Sequence, residues 1–243
     1  MVYAAKLVCQ SVAIWSYAMS AQAPSSSKAV SEDKVLDENW LKNTGVRRFP
    51  MIVCGIGIFE ASVYIFLMSK ASASSFAGNV AIKQLSVLKP WHIGISILAV
   101  SGLAFRRWSY HTLDRFFTYQ LTIRPGHRLI GHGPYKYIRH PSYTGTIING
   151  ACVYGLLWYE GLYEVMASFL SKGISWVLSR DVVIPNEILG VPGGVLVTAF
   201  YTYLMVKLTM SRVRKEEAML KDHFGKEWDL FSSKRWCFFP FIY

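Results

Sequence analysis

His127-Arg-Leu-Ile-Gly-His-Gly-Pro-Tyr-Lys-Tyr-Ile-Arg-His-Pro-Ser-Tyr-Thr-Gly145 is the stretch on which the reading of this chain turns. It holds two prolines and three glycines among imidazole, basic and aromatic side chains, between segments apolar enough to lie in a bilayer. An ordinary solvent loop rarely combines aromatics, glycines and an Arg-His-Pro run at this density. Pro141 holds the preceding His140 in extended backbone. The reading is a pocket at a membrane surface, flanked by apolar helices.

Working outward, 52% of the 243 residues are hydrophobic, in runs spaced along the whole chain. A soluble domain of this size needs no such runs. The expected fold class is an all-α integral membrane protein, with about four to five transmembrane helices of roughly 20 residues each. The pocket is expected on the cytosolic side, formed by residues 106–145 and the C-terminal tail. The net charge of +11 is compatible with nucleic acid, but Lys and Arg sit beside and between the apolar runs. That is the pattern of a face on a lipid surface, so membrane lipids are the expected partner and nucleic acid is not. Cys9, Cys54, Cys152 and Cys237 are far apart and form no Cys-x-x-Cys pair. Neither a disulfide framework nor a metal site is expected.

Two regions follow from the order of the chain: an N-terminal apolar segment and polar linker over 1–48, and a membrane-embedded domain over 49–243. Residues 1–23 read equally as a cleaved signal, ending Ala21-Gln22-Ala23, or as a first span. Phe49–Met68 is long enough to cross a hydrocarbon core of about 30 Å, and it contains Glu60. Pro90 opens another span that Arg106-Arg107 stop. Residues 106–145 carry seven Arg and Lys against the single acid Asp114, which places them in the cytosol on the positive-inside rule. An apolar segment from Thr146 to Leu170, a mixed loop at 171–187 and a span Ile188–Met210 would return the chain to that side. Small residues such as Gly150, Ala151, Gly155, Gly193 and Gly194 are expected to leave an apolar path between helices.

The tail from Ser211 has an amphipathic period, with Val213, Leu220, Phe224 and Trp228 on one face. Arg212 and Glu216 lie four apart on a neighbouring face. A plain intrahelical ion pair, worth about 0.2–0.5 kcal/mol, accounts for that spacing as well as a functional pair does.

Two islands, Gly133-Pro-Tyr-Lys-Tyr-Ile-Arg-His-Pro-Ser-Tyr-Thr-Gly145 and Arg212-Val-Arg-Lys-Glu216-Glu217 with Leu220, Phe224-Gly225 and Glu227-Trp228, resemble the isoprenylcysteine carboxyl methyltransferases. The resemblance covers about residues 90–243. It implies a multi-span enzyme of the endoplasmic reticulum membrane with its active site facing the cytosol. Such an enzyme moves a methyl group from S-adenosyl-L-methionine to the C-terminal carboxylate of prenylated cysteine in proteins. Carried over by residue, it implies cofactor contacts from Gln120, His127, Arg128, Leu129, Ile130, Tyr135, His140, Pro141, Ser142, Tyr143 and Glu216. Arg212 would bind the substrate and, with Arg139, serve catalysis.

A free α-carboxyl has a pKa of about 3.3–3.7, so this acceptor is already an anion at neutral pH and needs no base. The planar fork of Arg212 suits a carboxylate. Two other readings share features. A phospholipid N-methyltransferase would share Gly131-x-Gly133 and Glu216-Glu217, with Glu217 or His140 as base. A membrane sterol reductase should carry a dinucleotide-phosphate motif, and none is evident.

Overall fold

The computed structural model describes residues 2–22, 34–35, 87–118 and 121–240, with scattered helical positions between 55 and 69. Gln120, Glu60 and most of the expected Phe49–Met68 span and polar linker lie outside the described residues. The helices are α1 (Val2–Ser20), α2 (Pro90–Leu113), α3 (Pro141–Leu157), α4 (Tyr163–Leu178), α5 (Gly193–Phe224) and α6 (Lys226–Ser232). Strand β1 (Lys34–Val35) pairs antiparallel with β2 (Thr122–Ile123), and β3 (Glu187–Ile188) with β4 (Val191–Pro192). Pro90 and Pro141 each open a helix, at the position where a missing N–H costs nothing.

Side-chain bonds between helices give their directions. Ser96 Oγ donates to the Cys9 carbonyl at 3.1 Å and Arg106 Nε to the Ser20 carbonyl at 2.7 Å, so α1 and α2 run parallel. Against α3 the order reverses. Ser16 Oγ meets Asn149 Oδ1 at 3.3 Å, Gln10 Nε2 the Leu156 carbonyl at 3.2 Å and Lys6 Nζ the Glu160 carbonyl at 2.9 Å. Helix α5 is also antiparallel to α3, with Thr198 Oγ1 on the Tyr154 carbonyl and Tyr143 Oη on Glu216. The C-terminal ends of α1, α2 and α5 thus gather around the start of α3.

Gln10 is buried with a specific acceptor on α3. Lys6, Ser16 and Ser20 are buried as well, whereas Ser11 is exposed. Ala13, Tyr17 and Ala18 of α1 pack in one core cluster with Ala99 of α2 and Cys152, Val153, Leu156 and Leu157 of α3.

Between Thr146 and Met210 the structure departs from the expected layout. The helix does not continue from Leu157 to Leu170. It breaks at 158–162, where Tyr159 is extended, Glu160 has φ +50° and Gly161 has φ −144° with ψ −122°. Lys6 takes the Glu160 carbonyl, and the Glu164 carboxylate accepts the N–H groups of Glu160 and Gly161, so the peptide groups freed by the break are satisfied. Helix α4 then runs through the expected loop to Leu178. Residues 182–185 return along it, bonded to Ser175, Ser171 and Tyr163. The excursion closes on itself, and α5 starts at Gly193, beside the break rather than at Ile188. It also continues without interruption to Phe224, so the expected span and the expected tail helix are one element.

Three of the small residues, Gly150, Gly193 and Gly194, do not leave a path, whereas a Cβ at Gly155 would meet only Ile95, at 3.9 Å. A Cβ at Gly150 would lie 2.6 Å from Met205 Sδ, one at Gly193 2.0 Å from the Tyr163 ring, and one at Gly194 2.3 Å from the Trp158 carbonyl. They allow close approach and their space is filled.

Among the described residues, Gly193–Phe224 is long and apolar enough to cross a bilayer. Only 11% of its apolar window is buried, and Phe200, Tyr203 and Leu208 face outward. Ile93, Ile97 and Leu98 of α2 and Val8 and Trp15 of α1 do likewise. An apolar exterior on this scale is unusual for a soluble monomer and ordinary for a membrane protein.

Candidate active site

The turn before α3 is assembled from local and distant parts. Gly133 has φ +57°, and a Cβ there would press on Thr112 Oγ1 at 3.0 Å, so glycine is required on both counts. Residues 133–136 form a short 3-10 turn. The following strand-like segment pairs with the end of the chain: Arg139 N–H donates to the Trp236 carbonyl, His140 N–H to Cys237, and Thr144 Oγ1 to Phe238. The C-terminal segment therefore holds the backbone from which His140 projects.

Next to this turn lies a cavity of about 550 Å³. His127, Arg128, Leu129, Ile130, Tyr135, Arg139, His140, Ser142 and Tyr143 line it from one side, and Arg212 and Glu216 line it from α5. Of the other expected residues, Pro141 is fully buried at the start of α3 without lining the cavity. Its remaining lining mixes apolar and aromatic side chains with Arg106, Lys215 and several hydroxyls. Phe116 and His127 are 5.0 Å apart between ring centroids, Trp228 and Phe231 stack at 5.7 Å, and Leu208 and Thr209 continue the wall along α5.

A charged chain crosses the cavity. Tyr143 Oη donates to Glu216 Oε2 at 3.0 Å and also hydrogen-bonds the Arg212 side chain, so it stands between the two. His140 is 4% exposed. Its Nδ1 lies 3.6 Å from Glu216 Oε1 and its Nε2 3.0 Å from Glu217 Oε1. Arg139 Nη1 lies 3.0 Å from the same Glu217 oxygen.

The electrostatics follow from these contacts. Burial disfavours a charged His140, but the hydrogen bonds and charges of Glu216 and Glu217 outweigh it and raise its pKa. Burial likewise opposes the Glu216 carboxylate, and His140, Arg212 and Tyr143 outweigh it and hold its pKa below the ordinary value. Tyr143 and Tyr135 are pushed up, by burial first and then by the Glu216 charge, and stay neutral phenols. His127 is pushed down to about 4 by burial and by His223, and its Nδ1 is buried without a hydrogen-bond partner.

His140, Glu217 and Cys237 also bring three ligand-type atoms within 4.8 Å of one another. Glu217 is already engaged by Arg139, and burial pushes the Cys237 thiol up to about 11, away from the thiolate that a metal needs.

Several cavity residues were not expected. Arg106 reads in sequence as the stop of a span. It is buried here, with Nη1 on the Ser142 carbonyl at 2.9 Å and Nε on Ser20. Phe116 and Phe231 carry no signal in sequence, and Trp228 signals only an amphipathic face. Glu217 reads as a feature shared between enzyme classes, whereas here it is the carboxylate behind His140.

Fold and site together define a mostly helical protein with one helix long and apolar enough to cross a membrane, and a cavity in which paired cationic and anionic groups meet aromatic side chains. Residues 94–187 match the model of the isoprenylcysteine carboxyl methyltransferase (ICMT) family. A probable protein-S-isoprenylcysteine O-methyltransferase of Oryza sativa is 24% identical over 195 residues, spanning 78% of this chain and 82% of that protein. Protein-S-isoprenylcysteine O-methyltransferase B of Arabidopsis thaliana is 24% identical over 82% of this chain and 96% of its own length. The uncharacterized protein YpbQ of Bacillus subtilis is 31% identical over 59 residues, 24% of this chain. No solved structure matches the chain. The chain is thus similar to the isoprenylcysteine carboxyl methyltransferase family over residues 94–187, and to two plant proteins of that name over most of its length.

Proposed function

We propose that this protein transfers a methyl group from S-adenosyl-L-methionine to the C-terminal carboxylate of a prenylated cysteine, at the cytosolic face of the endoplasmic reticulum membrane. The observation that carries the reading is the single cavity in which Arg212 and Glu216, one helical turn apart on α5, face His140–Tyr143. Its wall continues along α5 to Leu208, whose side chain is turned outward.

The residues present fit the methyl donor. Glu216 is held anionic beside a buried, unsatisfied His127 Nδ1, and Phe116, Ile130 and Tyr135 supply an apolar wall suited to a purine. His127–Ile130, Tyr135, His140–Tyr143 and Glu216 would hold it. When bound, S-adenosyl-L-methionine supplies an electrophilic methyl group on a cationic sulfur.

The rest falls to this chain's own side chains. Arg212 can grip the acceptor carboxylate by two charge-assisted bonds and leave an oxygen lone pair free. Tyr143, a neutral phenol on both Arg212 and Glu216, fixes their spacing. No general base is required, because the carboxylate is ionised before it binds. The apolar walls exclude water that would otherwise solvate it. The prenyl chain would lie towards Leu208 and the bilayer, since the space at Gly150, Gly193 and Gly194 is filled.

The test uses purified protein, methyl-labelled S-adenosyl-L-methionine and three acceptors: a farnesylated cysteine analogue, its unprenylated counterpart and phosphatidylethanolamine. Base-labile label on the first alone is expected. Label on phosphatidylethanolamine alone would replace this reading with a phospholipid N-methyltransferase.

A further inference from the structure

We propose that Glu217 is a positioning residue of this site. Its carboxylate, held by Arg139, fixes the His140 ring so that Nδ1 faces Glu216, and so keeps the Glu216 carboxylate placed for the cationic part of the methyl donor. The inference rests on the methyl-transfer reading and adds a residue to it. Glu217 does not line the cavity and meets it through His140 and Arg139.

The geometry carries the argument. Both ring nitrogens of a nearly inaccessible His140 face carboxylate oxygens, Nε2 that of Glu217 and Nδ1 that of Glu216. A neutral imidazole has one N–H and serves one of them, leaving a lone pair turned towards the other carboxylate. Only the imidazolium satisfies both. Removing Glu217 takes away one of the two carboxylates that keep the ring charged, and Glu216 then loses a positive charge 3.6 Å from its Oε1.

The remaining groups around the ring do not replace Glu217. Tyr143 of α3 donates to Glu216, and Arg212 of α5 hydrogen-bonds Tyr143 and acts on the Glu216 charge. Cys237 of the C-terminal segment is a buried thiol, and Phe238 presents an aromatic edge. Arg139, one residue before His140, is a cation, and it lowers the charge that Glu217 presents to the ring. Its removal should therefore act in the opposite direction to removal of Glu217.

Two readouts test this on the full-length protein in detergent. Without cofactor, ring signals of isotope-labelled histidine, assigned through His140→Gln, report the pH at which His140 loses its proton. Calorimetry at pH 6 and pH 8 reports S-adenosyl-L-methionine affinity. In Glu217→Gln the midpoint should fall by about one pH unit, and affinity should drop roughly tenfold at pH 8 and recover towards wild type at pH 6. Glu217→Asp should restore part of both. Arg139→Gln should raise the midpoint, and it serves as the test should Glu217→Gln fail to fold. An unmoved midpoint, or a loss of affinity equal at both pH values, would overturn the proposal. Wild-type protein that bound no S-adenosyl-L-methionine while the midpoints moved as stated would remove the methyl-transfer reading and leave the positioning of His140 by Glu217 standing.

Discussion

Gly102 of α2 and Gly145 of α3 meet backbone to backbone. A Cβ at Gly145 would lie 2.6 Å from the Gly102 carbonyl oxygen, and one at Gly102 would lie 2.9 Å from the Gly145 carbonyl oxygen. Neither clash involves a side chain that can swing away. Gly145 closes the turn that carries His140 and Tyr143, so the helix contact and the cavity are mechanically one. Gly145→Ala should destabilise the fold by about 1–3 kcal/mol, as overpacking of a tight contact does. It should also loosen the cavity. Thermal unfolding in detergent reads the first effect, and cofactor affinity below the unfolding range reads the second. A variant with unchanged melting and unchanged affinity would show that the contact can relax.

Arg106 ties the end of α1 to the start of α3 through the carbonyls of Ser20 and Ser142 and Thr146 Oγ1. Lysine keeps the charge but cannot reach several acceptors from one planar group. Arg106→Lys should cost about 1.5–3 kcal/mol for charge-assisted bonds lost in a buried site. The ties from α1 also bear on residues 1–23. If α1 is a retained part of the fold, protein isolated from membranes should still contain residues 2–20, as peptide mapping would show. Sequencing that found a start near Pro24 would mean that α1 had been removed as a signal.

These two cases mark how far the sequence could be read. The turn at 133–145 and the spacing of Arg212 and Glu216 are local patterns, and residues singled out from both line one cavity. The break at 158–162 is not local. Glu160 and Gly161 leave the helix because Lys6, far away in sequence, and the Glu164 side chain take up their peptide groups. Arg106 reads as a membrane stop because its partners lie 86 and 36 residues away. Gly150, Gly193 and Gly194 read as gaps because Met205, Tyr163 and the Trp158 carbonyl, which fill them, cannot be paired with them from sequence.

His127 makes stability sensitive to acid. Its pKa is depressed from 6.5 to about 4 on folding. Between those values the unfolded chain takes up a proton that the folded chain does not. This contribution to stability is present above pH 6.5 and is lost as pH falls towards 4. His127→Phe keeps an aromatic ring against Phe116 and Phe224 without a titrating group. Its unfolding midpoint should fall less than that of wild type between pH 7 and pH 5. Parallel curves for the two proteins would mean that His127 is as easily protonated in the folded state as in the unfolded one.

Arg212 and Glu216 have separable duties if the proposed function holds. Arg212→Ala removes the fork for the acceptor carboxylate, charge-assisted bonds worth about 1.5–3 kcal/mol, and should leave S-adenosyl-L-methionine affinity nearly intact. Turnover should fall by about ten- to a hundred-fold, and Arg212→Lys should rescue it poorly because a point charge cannot hold two oxygens in register. Glu216→Gln removes the charge opposite the cofactor, which is also the acceptor of the Tyr143 bond and the ionic partner of His140, so cofactor affinity should weaken first. An intrahelical ion pair with no further role predicts otherwise. Both single variants would then lose little and to a similar extent, and the charge-swapped double variant would recover part of the loss. Calorimetric titration of cofactor into each variant, beside its methylation rate, separates the two accounts. Equal cofactor affinities in Arg212→Ala and Glu216→Gln would withdraw the assigned duties, because a residue that holds the methyl donor cannot be exchanged without a change in its binding.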